Sequence, residues 1–293
     1  MTKTEQIASL YTRHVLPTYA PPRLALVKGK GTRVWDAERR VYLDFAAGIA
    51  VLSVGHCHPR VTAAIQAQSA ALMHVSNLFF TEPQARLAER LSALSGFDGQ
   101  CFFCNSGAEA NEALFKLARL HGRARGRFEI LSMTNSFHGR TLATLAATGQ
   151  TKYQEGFEPL PAGFRQAPFN DLAAVRTAVS DKTAAILVEA VQGEGGVVPA
   201  DPAFLQGIRA LCDDQDLLML CDEVQCGLGR TGHWFGFQAA SVTPDAFSLA
   251  KALGGGLPIG AIVAGPRAAS LFSPGRHAST FGGNPVAAAA ALA

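Results

Sequence analysis

From Cys101 to Ala264 the chain alternates short apolar runs with segments of helical pattern, and this constrains the fold more than any other feature. Residues 101–104, 128–133, 184–191, 217–221 and 259–264 read as strands. Residues 108–120, 140–147, 172–179 and 202–215 read as helices, the last capped by Asp201. Strand and helix in turn give an α/β fold, a mainly parallel sheet with helices on both faces.

Ahead of that region the pattern differs. Residues 24–45 alternate apolar and polar side chains around Lys28-Gly29-Lys30-Gly31 and Asp36-Ala37-Glu38-Arg39-Arg40, which predicts a small N-terminal antiparallel meander. Pro59 opens a helix with Val61, Ile65 and Leu72 on one face, and Pro83 opens another with Leu87, Leu91 and Leu94. At the far end Asn284 and Pro285 begin a helix of Ala and Val in whose middle the sequence stops at Ala293, so the chain is expected to be cut short.

An apolar content of 48% with 17% charged residues suffices for a buried core. A net charge of +3 argues against a nucleic-acid or membrane-surface partner. The cluster Arg119, Arg123, Arg125 and Arg127 lies at a helix end, where cations suit the dipole. Met1 to Gln6 shows no secretory pattern and no apolar run has membrane-spanning length, which makes the cytoplasm the expected compartment. Six cysteines, at 57, 101, 104, 212, 221 and 226, are too few for a disulfide framework. Cys101 and Cys104 fit C-x-x-C, but three apart on a strand they face opposite sides, and His56-Cys57-His58 lacks a second ligand pair; no metal site is expected.

Several residues fall where such a sheet places chemistry. Asp222 ends the run 217–221 and Lys251 ends the run from Ala246, so both belong at carboxyl ends of strands, where ligands bind in open α/β sheets. A desolvated lysine beside a carboxylate suits Schiff-base chemistry; a structural ion pair is the plain alternative. Ser106-Gly107-Ala108 joins a strand to a helix, and its free amides form an anion site or else an ordinary capped helix start. Phe137-His138-Gly139-Arg140 offers an aromatic face and a guanidinium for a carboxylate, though His138 alone reads as structural. Glu189 and Glu194 flank Val191-Gln192-Gly193 and are explained either as buried carboxylates facing an arginine or as solvent-exposed groups. The loop from His277 to Pro285 is a second possible phosphate contact.

In this joint order the motifs resemble the class III pyridoxal-phosphate aminotransferases of fold type I, over nearly the whole chain. Within the class, Pro17-Thr18-Tyr19-Ala20, Gly55-His56-Cys57-His58-Pro59, His74-Val75-Ser76-Asn77, Thr81-Glu82-Pro83-Gln84 and Gln192-Gly193-Glu194-Gly195-Gly196 are most similar to the acetylornithine branch. The resemblance implies pyridoxal 5'-phosphate held covalently by Lys251, with Asp222 on its ring nitrogen, Gln225 on its ring hydroxyl, Phe137 against its face, and Gly107 and Ala108 on its phosphate. It implies Thr280 on the phosphate of a neighbouring subunit, hence a homodimer with shared sites. Arg140 and Ser279 would bind substrate, and Glu194 would pair with an arginine of a C-terminal domain. N-acetylornithine and 2-oxoglutarate are the implied small-molecule substrates. Residues 1–57 would contribute to a small domain and residues 58–293 would form the cofactor-binding large domain, the C-terminal small domain being absent.

Ala190 stands where many relatives carry proline. Ornithine, succinylornithine and 4-aminobutyrate aminotransferases share nearly every cofactor residue and remain alternatives, as does a catalytically impaired fragment. A nicotinamide-dependent dehydrogenase is set aside, because no G-x-G-x-x-G turn follows an N-terminal strand.

Overall fold

The architecture comes from a computed structural model describing residues 1–293. It opens with helix α1 (Lys3–His14) and a three-stranded antiparallel meander, β1 (Leu26–Lys30), β2 (Arg33–Asp36) and β3 (Val41–Leu43). Buried Asp36 ties the last turn of the meander, accepting from Glu38 N, Arg40 N and Tyr42 Oη. α1 was not legible in the sequence. It buries no residue, and a capping box of Thr2 with Glu5 starts it, while Thr4 docks it on Glu38. A single left-handed turn, α2 (Ala47–Ala50), leads to helices α3 (Pro59–Ala71) and α4 (Glu82–Ser95). α3 starts at Pro59 and α4 one residue before Pro83, and Val61, Leu87 and Leu91 are buried. Leu72 is the exception: it lies past the end of α3 and is exposed.

The main sheet has seven strands, β4 (Gln100–Cys104), β5 (Glu129–Met133), β6 (Phe164–Ala167), β7 (Thr183–Val188), β10 (Leu218–Asp222), β11 (Ala246–Leu249) and β12 (Gly260–Ala264), in the order β4-β12-β11-β10-β7-β5-β6. A short hairpin, β8 (Val191–Gln192) with β9 (Val198–Pro199), stands apart. β12 alone runs against its neighbours β11 and β4; the other adjacent pairs are parallel. The sheet is therefore mainly parallel, as the alternation predicts.

Helices cover both faces. α5 (Gly107–Gly122) lays Ala110, Ala113, Leu114 and Leu117 on one side, against Leu218, Leu220, Ala246 and Ile262. On the other side α7 (Leu172–Ala178), α8 (Pro202–Gln215) and α10 (Pro285–Leu292) join α4 over Ile186, Met219 and Phe247. Leu114 and Leu117 have no exposed surface, and truncating such a residue to alanine costs about 2–5 kcal/mol. α6 (Leu142–Ala147) and α9 (Pro266–Ala269) complete the set.

Two boundaries differ from the sequence reading in ways that shape the site. The strand expected over 184–191 ends at Val188, and Val191 belongs instead to the β8–β9 hairpin, which leaves Glu189 at the strand's carboxyl end. The helix expected from Arg140 starts at Leu142 with Thr141 as its cap, so Arg140 stays in the preceding loop.

Candidate active site

Because β4, β5, β7, β10 and β11 point the same way, the loops that follow them leave the sheet at one edge. A cavity of about 420 Å³ lies there, within the range of small-ligand sites. Of the residues singled out as chemical, Gly107, Ala108, Phe137, Arg140, Glu189, Asp222, Gln225 and Lys251 all line it, whereas Glu194 and the loop 277–285 do not.

Asp222, the last residue of β10, is buried under a converging set of donors. Its Oδ2 accepts from Asn111 Nδ2 and His138 Nδ1, both at 2.8 Å, and its Oδ1 from Val224 N at 3.0 Å and Ser248 Oγ at 3.4 Å. Four segments thus fix one carboxylate: α5, the loop after β5, β11 opposite it in register, and its own turn. Asn111 and His138 were not legible as site residues, yet Asn111 carried a signal. It sits among buried Ala110, Ala113 and Leu114, and an amide in an apolar helix stripe requires a partner.

Lys251 follows β11 with φ of +43°, a conformation unusual for a side-chain-bearing residue and typical of functional sites. Its side-chain amine makes no hydrogen bond to the protein and no ion pair, so the structural Asp222–Lys251 pair is not what this chain forms. Burial pushes its ammonium below the usual lysine range, against the opposing charges of Asp222, Glu189 and Glu194. A lysine that is partly desolvated and unpartnered is available as a nucleophile.

Glu189 is buried at the end of β7 and accepts from Phe137 N at 3.2 Å. No arginine faces it. Burial, reinforced by the Asp222 charge, holds its carboxyl well above the usual range. Glu194 is exposed and accepts from Tyr153 Oη at 3.0 Å.

The cavity is also lined by the start of α5. Ser106 Oγ caps it by accepting from Glu109 N, and its first helical bond runs from Ala110 N to Ser106 O, which leaves the Gly107 and Ala108 amides outside the ladder. A β-carbon on Gly107 would lie 2.7 Å from Val224 Cγ1, so glycine lets the helix start close against the β10 turn. Gln225 lines the same wall, packed so tightly on Gly193 that a β-carbon there would collide with its amide.

Phe137 and Arg140 line the cavity from the loop after β5. Arg140 is exposed and gives none of its N–H groups to the protein; its guanidinium lies 4.1 Å from the Tyr153 ring centroid and 5.3 Å from that of Phe137. Ser279 and Thr280 are not in the cavity wall. Ser279 Oγ accepts from Asn105 Nδ2 and Gly282 N, tying its loop to the residue before the α5 cap, and Thr280 is exposed. All six cysteines are free, and no three His, Cys, Asp or Glu side chains converge as metal ligands. Cys101 and Cys104 pack on opposite faces of the sheet, and burial pushes both thiols up to about 12.

The aminotransferase class-III profile matches residues 16–293. The chain belongs to the class-III aminotransferases. It is 57% identical to the acetylornithine aminotransferase of Myxococcus xanthus over 99% of this chain and 73% of that protein. Among solved structures it superposes on an ornithine aminotransferase of Toxoplasma gondii, with pyridoxal phosphate at partial occupancy in the active site, with a TM-score of 0.94 and 34% identity, covering 100% of this chain and 70% of that one. The N-acetylornithine aminotransferase of Stenotrophomonas maltophilia matches with a TM-score of 0.81 and 40% identity, over 97% of this chain and 69% of that one.

The residues present fit the cofactor of class-III aminotransferases, pyridoxal 5'-phosphate. The cavity offers free helix amides for a phosphate, a buried carboxylate for a ring N–H, an aromatic side chain in its wall and an unpartnered amine for an aldehyde.

Proposed function

We propose that this chain transfers the δ-amino group of N-acetylornithine to 2-oxoglutarate, giving N-acetylglutamate semialdehyde and glutamate, in a ping-pong exchange. The observation that carries the reading is the unpartnered Lys251 amine in the cavity that Asp222, its four donors already in place, also lines. The choice of N-acetylornithine follows the acetylornithine aminotransferase at 57% identity over 99% of the chain.

When bound, pyridoxal phosphate supplies the carbonyl that accepts the amino group and the ring that withdraws electrons from the reacting carbon. Lys251 Nζ would hold it covalently and would serve as the base and acid that moves the proton at the donor carbon. Asp222 would keep a proton on the ring nitrogen, and the four groups that donate to its carboxylate hold it in place for that. Gly107 and Ala108 amides would take the phosphate, Phe137 would cover a ring face and Gln225 would serve the ring hydroxyl. Arg140 binds a substrate carboxylate through two parallel hydrogen bonds. Ser279 serves the substrate side, and Glu194 pairs with a cation when the amine donor is bound.

Thr280, exposed on this chain, is assigned to the phosphate site of a neighbouring subunit in a homodimer, with residues 1–57 contributing to a small domain and 58–293 binding cofactor. No helix is long and apolar enough to cross a membrane. Six free thiols suit a reducing compartment, which supports the cytoplasm as its place.

The test is the visible absorption of the cofactor-loaded protein. The bound-cofactor band is expected to bleach on addition of N-acetylornithine and to return with 2-oxoglutarate, while Lys251→Ala gives neither the band nor turnover. A band indifferent to N-acetylornithine but bleached by ornithine or 4-aminobutyrate would reassign the donor. Measurable amino transfer by Lys251→Ala would remove Lys251 from its role.

A further inference from the structure

Arg140 and Glu194 stand near the mouth of the cavity with opposite charges, both exposed, and neither is in an ion pair. Tyr153 touches both. Its ring centroid lies 4.1 Å from Arg140 Cζ, its hydroxyl donates to Glu194 Oε1 at 3.0 Å, and its ring meets Phe137 edge-on at 5.8 Å and 85°. Lys152 Nζ also lies 4.7 Å from that ring. The short turn Thr151–Tyr153 that presents it is pinned on both sides. Gln150 Nε2 donates to Ser136 O at 3.0 Å, Gln154 Nε2 donates to Leu145 O at 3.0 Å and to Thr148 O at 2.9 Å, and Tyr153 N donates to Gln150 O at 3.1 Å. Two long, exposed charged side chains are therefore arranged around one fixed ring.

We propose that Tyr153 is a positioning residue for carboxylate recognition, which keeps Arg140 and Glu194 from closing on each other. A guanidinium paired with Glu194 would have its fork occupied, and a substrate carboxylate would have to break that pair to bind. A ring contact uses the flat face of the guanidinium and leaves its N–H edge free. The Tyr153 hydroxyl meanwhile gives the Glu194 carboxylate a partner other than Arg140. The device works through Arg140 and rests on the reading that Arg140 receives a substrate carboxylate.

The test uses the cofactor-loaded protein and glutarate, a dicarboxylate with no group to transaminate. Its Kd is measured by calorimetry beside KM and kcat for 2-oxoglutarate. Tyr153→Phe keeps the ring and frees Glu194; Kd and KM are expected to rise roughly five-fold while kcat moves less than two-fold, the size of losing one ordinary hydrogen bond. Tyr153→Leu removes the ring as well, and a rise of about ten-fold or more is expected. Adding Glu194→Gln to Tyr153→Phe takes away the anion that would close on Arg140 and should restore Kd toward that of Glu194→Gln alone, a coupling that a merely structural tyrosine would not show. Unchanged glutarate affinity in Tyr153→Phe, or a double variant no tighter than Tyr153→Phe, overturns the proposal. If the unsubstituted protein neither binds glutarate nor transaminates, the amino-transfer reading itself falls, and the proposal with it.

Discussion

Arg140 keeps its N–H groups unspent, and a planar fork with nothing to grip is suited to a planar anion. Arg140→Lys should raise KM for 2-oxoglutarate about ten-fold or more and leave the bound-cofactor absorption nearly unchanged, because a point charge cannot reproduce two parallel hydrogen bonds. Equal loss of cofactor and substrate binding would make Arg140 a structural residue. At this scale the sequence was informative about residues at and just past the ends of apolar runs: Asp222, Lys251 and Gly107 all come to the cavity wall. It was silent on what surrounds them. His138 and Asn111 reach Asp222 from 84 and 111 residues away, and nothing local in either motif marks that meeting. For Glu189 the sequence allows an arginine partner or solvent, and the structure gives neither: it is buried and its partner is a backbone N–H, which leaves no pattern in sequence.

Among elements, strands with strong apolar character were legible and weak ones were not. β6 is a four-residue edge strand, Phe-Arg-Gln-Ala, with two exposed residues, and only its pairing with β5 makes it a strand. β12 was legible as a strand but not as the reversed one, because direction is set by connection and not by side-chain pattern. The turn after β10 carries a consequence for stability. Glu223 is buried and accepts from Gly236 N and Phe237 N, joining the strand end to the 3₁₀ segment Gly236–Ala240; burial nonetheless pushes its carboxyl up to about 7. The folded protein then holds a proton that the unfolded chain releases near 4.5. The contribution is full below about 4.5 and is lost as pH rises through about 7. Urea unfolding at intervals from pH 4.5 to 8 should show the unsubstituted protein losing stability relative to Glu223→Gln, by at most about 3 kcal/mol. A flat difference across that range would place the Glu223 proton elsewhere.

For the whole molecule, the run Leu78, Phe79 and Phe80 is 82%, 68% and 108% exposed, a contiguous apolar surface of the kind that marks an interface. The proposed homodimer gives it an occupant, a second copy of this chain. Sedimentation should then show association that Phe80→Glu weakens at least ten-fold, with the far-ultraviolet circular dichroism unchanged; a monomer at all concentrations would leave that surface to another partner.

The reversed strand has a further consequence in time. β4 has β12 as its only neighbour, and Cys104 pairs with Gly260, so the apolar run Cys101-Phe102-Phe103-Cys104 has no partner until about 160 more residues have been made. At ribosomal speed that is roughly 8–30 s. Throughout that interval the nascent chain carries an unpaired sticky strand, which makes the stretch around β4 the place where a holding chaperone would have the most to protect during synthesis.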